Sequence, residues 1–297
     1  MSVLNKETMT RILSAIVTLP VLIYVLITED FFSLPVFFAS CVISLTCLYE
    51  YYMITYKSEE EKPFIKTGLL AGFFVNVVMF LYAFGKPFGY SGIIAGFDAR
   101  LFIMFTVLFM AVVLTLQLFT RPLKGGAYSM AVTVFGVMYI SLSVSHLILL
   151  KSLRDGSKYI LLLTAVVMLN DTGAYFGGIM FGKHKAKIAA SPNKSWEGYF
   201  SGLLFSVIAF ILGNQVIASF IIKGPALFTM LESAILGIIV SVLATIGDLV
   251  ESAVKRDGGI KDSGRIIPGH GGMWDVFDAI IFALPFFYYY LVFKGIP

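Results

Sequence analysis

Between Asp248 and Asp278 the chain carries six acids, four bases and six glycines, flanked by two long apolar runs. Charged groups beside a bilayer are costly unless something uses or solvates them. Carboxylates can hold divalent cations, lysine and arginine can hold phosphates, and glycines let the backbone approach both. Asp248, Glu251, Ser252 and Lys255 fall at i, i+3, i+4 and i+7, so a helix continuing through them presents all four on one face. A surface ladder of ion pairs would account for that spacing alone. The chain goes on, however, through Lys261-Asp262-Ser263-Gly264-Arg265 and Pro268-Gly269-His270-Gly271-Gly272 to Asp275 and Asp278, three apart on the next predicted helix. Asp248 and Asp275, from two helix ends, form a candidate clamp for Mg²⁺, with the lysines and arginines left for phosphates. His270 is either a general base or a loop histidine that bonds phosphate or backbone.

Two further groups stand upstream. Asp171 follows Asn170 inside an apolar run with no basic neighbour in sequence. A carboxylate at bilayer depth points to a cavity or bundle interior, unless it is a protonated packing residue bonded to Asn170. Lys183, Lys185, Lys187 and Lys194 crowd one short segment that ends in Ser191-Pro192-Asn193-Lys194-Ser195-Trp196-Glu197-Gly198. Attraction to anionic headgroups explains the charge. It does not explain a Ser-Pro turn and a helix start in which Ser195 caps and Glu197 sits near the positive end. A helix N-terminus with a lysine beside it suits phosphate.

These residues need helices to hold them. The chain has 297 residues, 58% hydrophobic and 13% charged, with a mean hydropathy of +0.89. Soluble domains carry roughly 25% charged residues, so an all-α, polytopic integral membrane protein is predicted. About 20 apolar residues cross a bilayer. Nine such segments can be drawn, roughly Ile12–Thr28, Phe31–Tyr49, Thr67–Phe84, Leu101–Phe119, Tyr128–Leu150, Tyr159–Ile179, Tyr199–Ile222, Leu227–Gly247 and Phe277–Phe293. Lys6 and Arg11 before the first resemble the opening of a signal peptide, but no small-x-small site follows, so a retained span is expected. The aromatic run Tyr49–Tyr52 suits an interface belt. No soluble domain of useful size fits between spans. The expected division is 1–127, structural and lipid-facing, and 128–297, carrying the catalytic loops.

Placing the N-terminus inside puts 15 of the 22 lysines and arginines on inner segments. The positive-inside rule then predicts a cytoplasmic N-terminus, an outer C-terminus, and both loops 182–198 and 248–276 on the cytoplasmic side, where nucleotides are. Cys41 and Cys47 lie within one apolar run and read as small buried hydrophobes. His146, alone in an apolar span, reads as a packing residue. There is no Gly-x₄-Gly-Lys-Ser/Thr loop, no Rossmann glycine pattern, no His-Glu-x-x-His and no Gly-x-Ser-x-Gly elbow.

The ordered series Ser252-x-x-Lys255-Arg256-x₄-Lys261-Asp262-Ser263-x₄-Pro268-x-His270-Gly271-Gly272-x-x-Asp275-x-x-Asp278 resembles the signature of the phosphatidate cytidylyltransferases, the bacterial CDP-diacylglycerol synthases. Asp171-Thr172-Gly173-Ala174-Tyr175 and Ser191-Pro192-x-Lys194-Ser195-x-Glu197-Gly198 look like that family too. The resemblance is specific over residues 165–280. One departure is Val276, where the family pattern carries arginine, so Lys255, Arg256 or Arg265 would have to supply that charge.

The resemblance implies transfer of the cytidylyl group of CTP to phosphatidic acid, giving CDP-diacylglycerol and pyrophosphate in the cell's inner membrane, with the active site on the cytoplasmic side. It implies Mg²⁺ and leaves open a second cation. The expected metal residues are Asp171, Asp248, Asp275 and Asp278. The expected catalytic residues are Asp248, Asp275, Lys255, Lys261 and His270. Those expected on substrate phosphates are Ser191, Lys194, Ser195, Arg256, Ser263 and Arg265. The expected partners are CTP or dCTP, phosphatidic acid and membrane lipids, with no nucleic acid and with a homodimer left open. Two rivals remain: a CTP-dependent lipid kinase, which would release CDP, and a transporter, which would explain Asp171 and the glycine-rich spans.

Overall fold

The structure is a computed structural model of the chain and describes residues 33–84, 99–267, 269 and 271–296. Among them there are no β-strands, only isolated bridges in loops. Eight helices are long and apolar enough to cross a membrane. The expected span Ile12–Thr28 lies outside the described residues. We number the helices α1 (Leu34–Thr55), α2 (Ile65–Phe84), α3 (Ala99–Thr120), α4 (Gly126–Ser152), α5 (Gly156–Phe181), α6 (Trp196–Val216), α7 (Met230–Asp257) and α8 (Met273–Phe293). At about 1.5 Å per residue each of the 20- to 28-residue helices reaches roughly 30 Å or more. The chain divides into two compact units, the first made of residues up to Leu153 with Asp257–Val276, the second of Arg154–Arg256 with Phe277–Pro297.

In the first unit α1 starts with proline in its opening turn, where a missing N–H costs nothing, and runs on to Thr55, past the expected end at Tyr49. The extension has a packing cause. Tyr51 and Tyr52 are buried rather than set in an interface belt. The Tyr51 ring meets the Trp274 ring at 5.5 Å, and the Tyr52 hydroxyl donates to the Thr133 carbonyl at 2.8 Å. Polar bonds join α1 to α2: Asn76 accepts from the Ser40 hydroxyl at 2.6 Å and donates to Ser44 at 3.2 Å. Such bonds replace the hydrophobic drive that lipid cannot supply. α4 loosens into a π turn at Val137–Ser141.

The second unit has an aromatic centre in which Phe228 stands 5.4 Å from Phe210, 5.8 Å from Tyr159 and 6.3 Å from Phe287. Asn214 holds the turn before α7 by accepting from the Leu227 and Phe228 amides and donating to the Phe228 carbonyl. Gly173 and Gly177 of α5 face Phe205 and Ser201 of α6, a close helix contact that small residues permit. Ser195 caps α6, its hydroxyl accepting from the Gly198 amide at 3.2 Å, with Glu197 in the first turn.

Candidate active site

α7 continues unbroken through Asp257, so Asp248, Glu251, Ser252 and Lys255 do share one helix face. Glu251 is 1% exposed, and its Oε2 meets the Lys255 Nζ at 2.6 Å. Ser252 donates to Asp248 Oδ1 at 3.4 Å, a long bond. Gly247 is why another carboxylate reaches this face. A Cβ at that position would come 2.6 Å from the Asp278 carbonyl, so only glycine lets α7 rest on α8 here. Asp278 is 8% exposed, and a carboxylate oxygen from each of Asp248, Glu251 and Asp278 lies within 4.8 Å of the others.

The loop after α5 brings a base to the same place. Its turns are closed by backbone bonds from Ala186 to the Lys194 carbonyl at 2.8 Å and from Trp196 to the His184 carbonyl at 3.0 Å. Glu197 accepts from the His184 amide at 3.1 Å and pairs with its Nδ1. So held, Lys194 forms an ion pair with Asp248 Oδ2 and feels the charges of Asp171, Asp278 and Glu251. Loss of water around its ammonium pushes Lys194 below the ordinary lysine range, and those three carboxylates act in the opposite direction. Asp171 is exposed beside Asn170, whose amide donates to it at 3.2 Å while accepting from the Ser241 hydroxyl of α7 at 2.6 Å. Four acids and two lysines thus form one electrostatic group in the second unit, with acids in excess.

Three hard oxygen donors at this spacing suit a small divalent cation. Metal–oxygen distances of about 2.0–2.1 Å are compatible with carboxylate oxygens that all lie within 4.8 Å of one another. The donors fit the group, and the two lysines beside them suit phosphate oxygens.

Asp275 belongs to the first unit, where its Oδ2 accepts from the Ser263 amide at 2.8 Å, the Ser263 hydroxyl at 2.9 Å and the Gly272 amide at 2.7 Å. Ser263 is buried there, and its hydroxyl also reaches Glu50 at 3.0 Å. Lys261 and Arg265 are exposed on the same loop, and Arg256 is exposed in the last turn of α7. The Ser191 amide closes a turn onto the Ile188 carbonyl at 2.9 Å. Val276 is exposed, and His270 lies outside the described residues.

The family model described as the cytidylyltransferase family matches residues 9–294. The chain belongs to that family. Among curated cytidylyltransferases it is 37% identical over 204 residues to the phosphatidate cytidylyltransferase of Mycobacterium bovis, covering 66% of this chain and 62% of that protein. It is 43% identical over 155 residues to the phosphatidate cytidylyltransferase of Staphylococcus saprophyticus, covering 52% and 56%. The one from Mycobacterium leprae is 38% identical over 160 residues, covering 54% and 49%. The chain therefore aligns with roughly half to three fifths of the length of the curated relatives it matches.

Two acids of this chain were not among the expected site residues. Glu251 was placed on the right helix face, but only as part of the spacing argument; its burial next to Asp248 is what promotes it. Glu50 lies in an aromatic run, although a lone Asp, Glu, Lys or Arg within a span is itself a signal.

Proposed function

We propose that this cytidylyltransferase joins CTP to phosphatidic acid, giving CDP-diacylglycerol and pyrophosphate, at the cytoplasmic face of the cell's inner membrane. The observation that carries the reading is the group of Asp248, Glu251 and Asp278 with Lys194 and Lys255, embedded in apolar helices. The relatives' name supports the substrate pair.

In this reading Asp248, Glu251 and Asp278 would hold Mg²⁺, with Asp171 at the edge of the group. The bound cation supplies neutralising charge for phosphate oxygens. Lys194 leaves Asp248 for a phosphate when the nucleotide arrives, and Lys255, braced by Glu251, does the same from the helix face. Ser195, Arg256, Lys261, Ser263 and Arg265 remain proposed contacts or supports for substrate phosphates, with Ser191 in the turn that presents Lys194. Asp275 acts through the loop it holds. An oxygen of the phosphatidate phosphate attacks the α-phosphorus in line, and the bond from that phosphorus to the oxygen bridging to the β-phosphate breaks. The chain's work is mostly positioning and electrostatic stabilisation, since phosphoryl-type transfers need little covalent help. Helix ends are suited to a reactant whose acyl chains stay in the bilayer.

The test is purified protein in mixed micelles with phosphatidic acid, Mg²⁺ and CTP labelled at the α-phosphorus. Label passing into lipid with equimolar pyrophosphate is the expected result. CDP release with the label left in water would replace this reading with a kinase.

A further inference from the structure

Glu50 is the lone Asp, Glu, Lys or Arg of α1 and is 4% exposed. Its oxygens accept from the Met273 amide at 2.9 Å, the Trp274 amide at 2.8 Å and the Ser263 hydroxyl at 3.0 Å. The first two donors open α8, where backbone amides have no partner within the helix and negative charge is favoured. Here the capping group comes from a helix more than 200 residues upstream. Asp275 complements it, taking the Gly272 amide and both donors of Ser263. The loop is moulded around the Glu50 carboxylate. A Cβ on Gly272 would stand 2.5 Å from one of its oxygens, and a Cβ on Gly264 would stand 2.6 Å from the same atom. Trp274, fully buried against Tyr51, fixes the far side. Removing a buried acceptor leaves several donors without partners.

We propose that Glu50 is a positioning residue of this cytidylyltransferase: it holds the Ser263–Trp274 loop and the first turn of α8 in their working shape. It touches no reacting atom and acts through Ser263, Asp275 and the loop. The inference rests on the proposed reaction for its kinetic part, because Ser263 and Arg265 lie on this segment and Lys261 stands two residues before it. Its structural part stands alone.

The experiment compares the full chain with Glu50→Ala and Glu50→Gln in detergent, using limited trypsin digestion with mass-spectrometric mapping. Lys261 and Arg265 are exposed cleavage sites on the loop, and exposed Lys183 and Lys185 of the second unit serve as internal reference. Glu50→Ala is expected to raise cleavage at Lys261 and Arg265 at least 10-fold relative to the reference. Glu50→Gln, which keeps one carbonyl acceptor, should fall between it and the unaltered chain. In the assay described above, Glu50→Ala should raise the KM for CTP and lower kcat about 10-fold each, with an unchanged Mg²⁺ midpoint. Cleavage ratios equal to those of the unaltered chain in both variants overturn the proposal. If Glu50→Ala does not fold, Glu50→Gln and Gly272→Ala decide by the same ratio. Absence of CTP-dependent product in the unaltered chain would sink the proposed reaction, while the digestion would still test the tether.

Discussion

Two groups of buried and half-buried acids use the same chemistry in opposite ways. Glu50 and Asp275 of the first unit accept from four backbone amides and one hydroxyl, all supplied by the stretch from Ser263 to Trp274. Asp248, Glu251 and Asp278 of the second unit face one another and two lysines. The first arrangement uses carboxylates to satisfy the protein's own donors. In the second, like charges stand close together, an arrangement that is costly without a cation to bridge them. On the proposed reading the first group serves shape and the second a ligand: the first takes most of its contacts from the protein's own amides, whereas in the second Asp278 accepts from the Ala279 amide at 2.6 Å and the acids otherwise meet each other and the lysines. On that reading Asp275 and Asp278, three residues apart on one helix, serve different ends.

The comparison can be broken most sharply at Asp248. Asp248→Ala should lower turnover by 10³-fold or more with a melting temperature within a few degrees of the unaltered chain, because a partly exposed acid is removed from a cluster with acids in excess. An active Asp248→Ala would end the distinction. Removing divalent cations with EDTA should abolish product formation, and Mg²⁺ should restore it. Mg²⁺ should also raise the melting temperature of the unaltered chain but not that of Asp278→Asn, a readout independent of turnover.

Lys194→Ala comes next, with about a 10²-fold loss in kcat/KM for CTP. Its pH signature is more telling than its size. The charged form is the useful one, and burial holds Lys194 below the ordinary value of 10.5, so activity should fall on the alkaline side before pH 10.5. Lys194→Arg should push that limb upward, since guanidinium keeps its proton; an unmoved limb would remove Lys194 from the phosphate site. Asp275→Asn should cost about 10-fold in turnover and roughly 1–3 kcal/mol of stability through its unsatisfied donors, while leaving the Mg²⁺ midpoint where it was. A shifted midpoint would move Asp275 to the metal-holding group. The smallest effect belongs to Ser252→Ala, at most about 3-fold, because its bond to Asp248 is 3.4 Å long.

Much of this was legible in the sequence, and the reasons are local. Hydropathy located the helices because span length is a property of consecutive residues. The i, i+3, i+4, i+7 pattern put Asp248 and Lys255 on one face, and the Ser195 cap was readable from the residues beside it. What was not legible depends on distant packing. That Asp278 joins Asp248 requires the α7–α8 contact at Gly247, which no spacing encodes. Glu50 sits in an aromatic run with an interface-like composition, and only the burial of Tyr51 and Tyr52 carries α1 past it. Nothing in the series from Ser252 to Asp278 says that one of its acids would be matched by a residue from the other end of the chain.

At Gly247 the main chain of one span lies against that of another with room for a hydrogen atom and nothing larger. The separation of the neighbouring acids is therefore inherited from the backbone rather than chosen by rotamers. The lipid-facing side chains of the same helices are free of that constraint. A lineage could exchange them to suit a thicker or stiffer bilayer while the charged cluster keeps its dimensions, so adaptation to a membrane and preservation of chemistry need not compete.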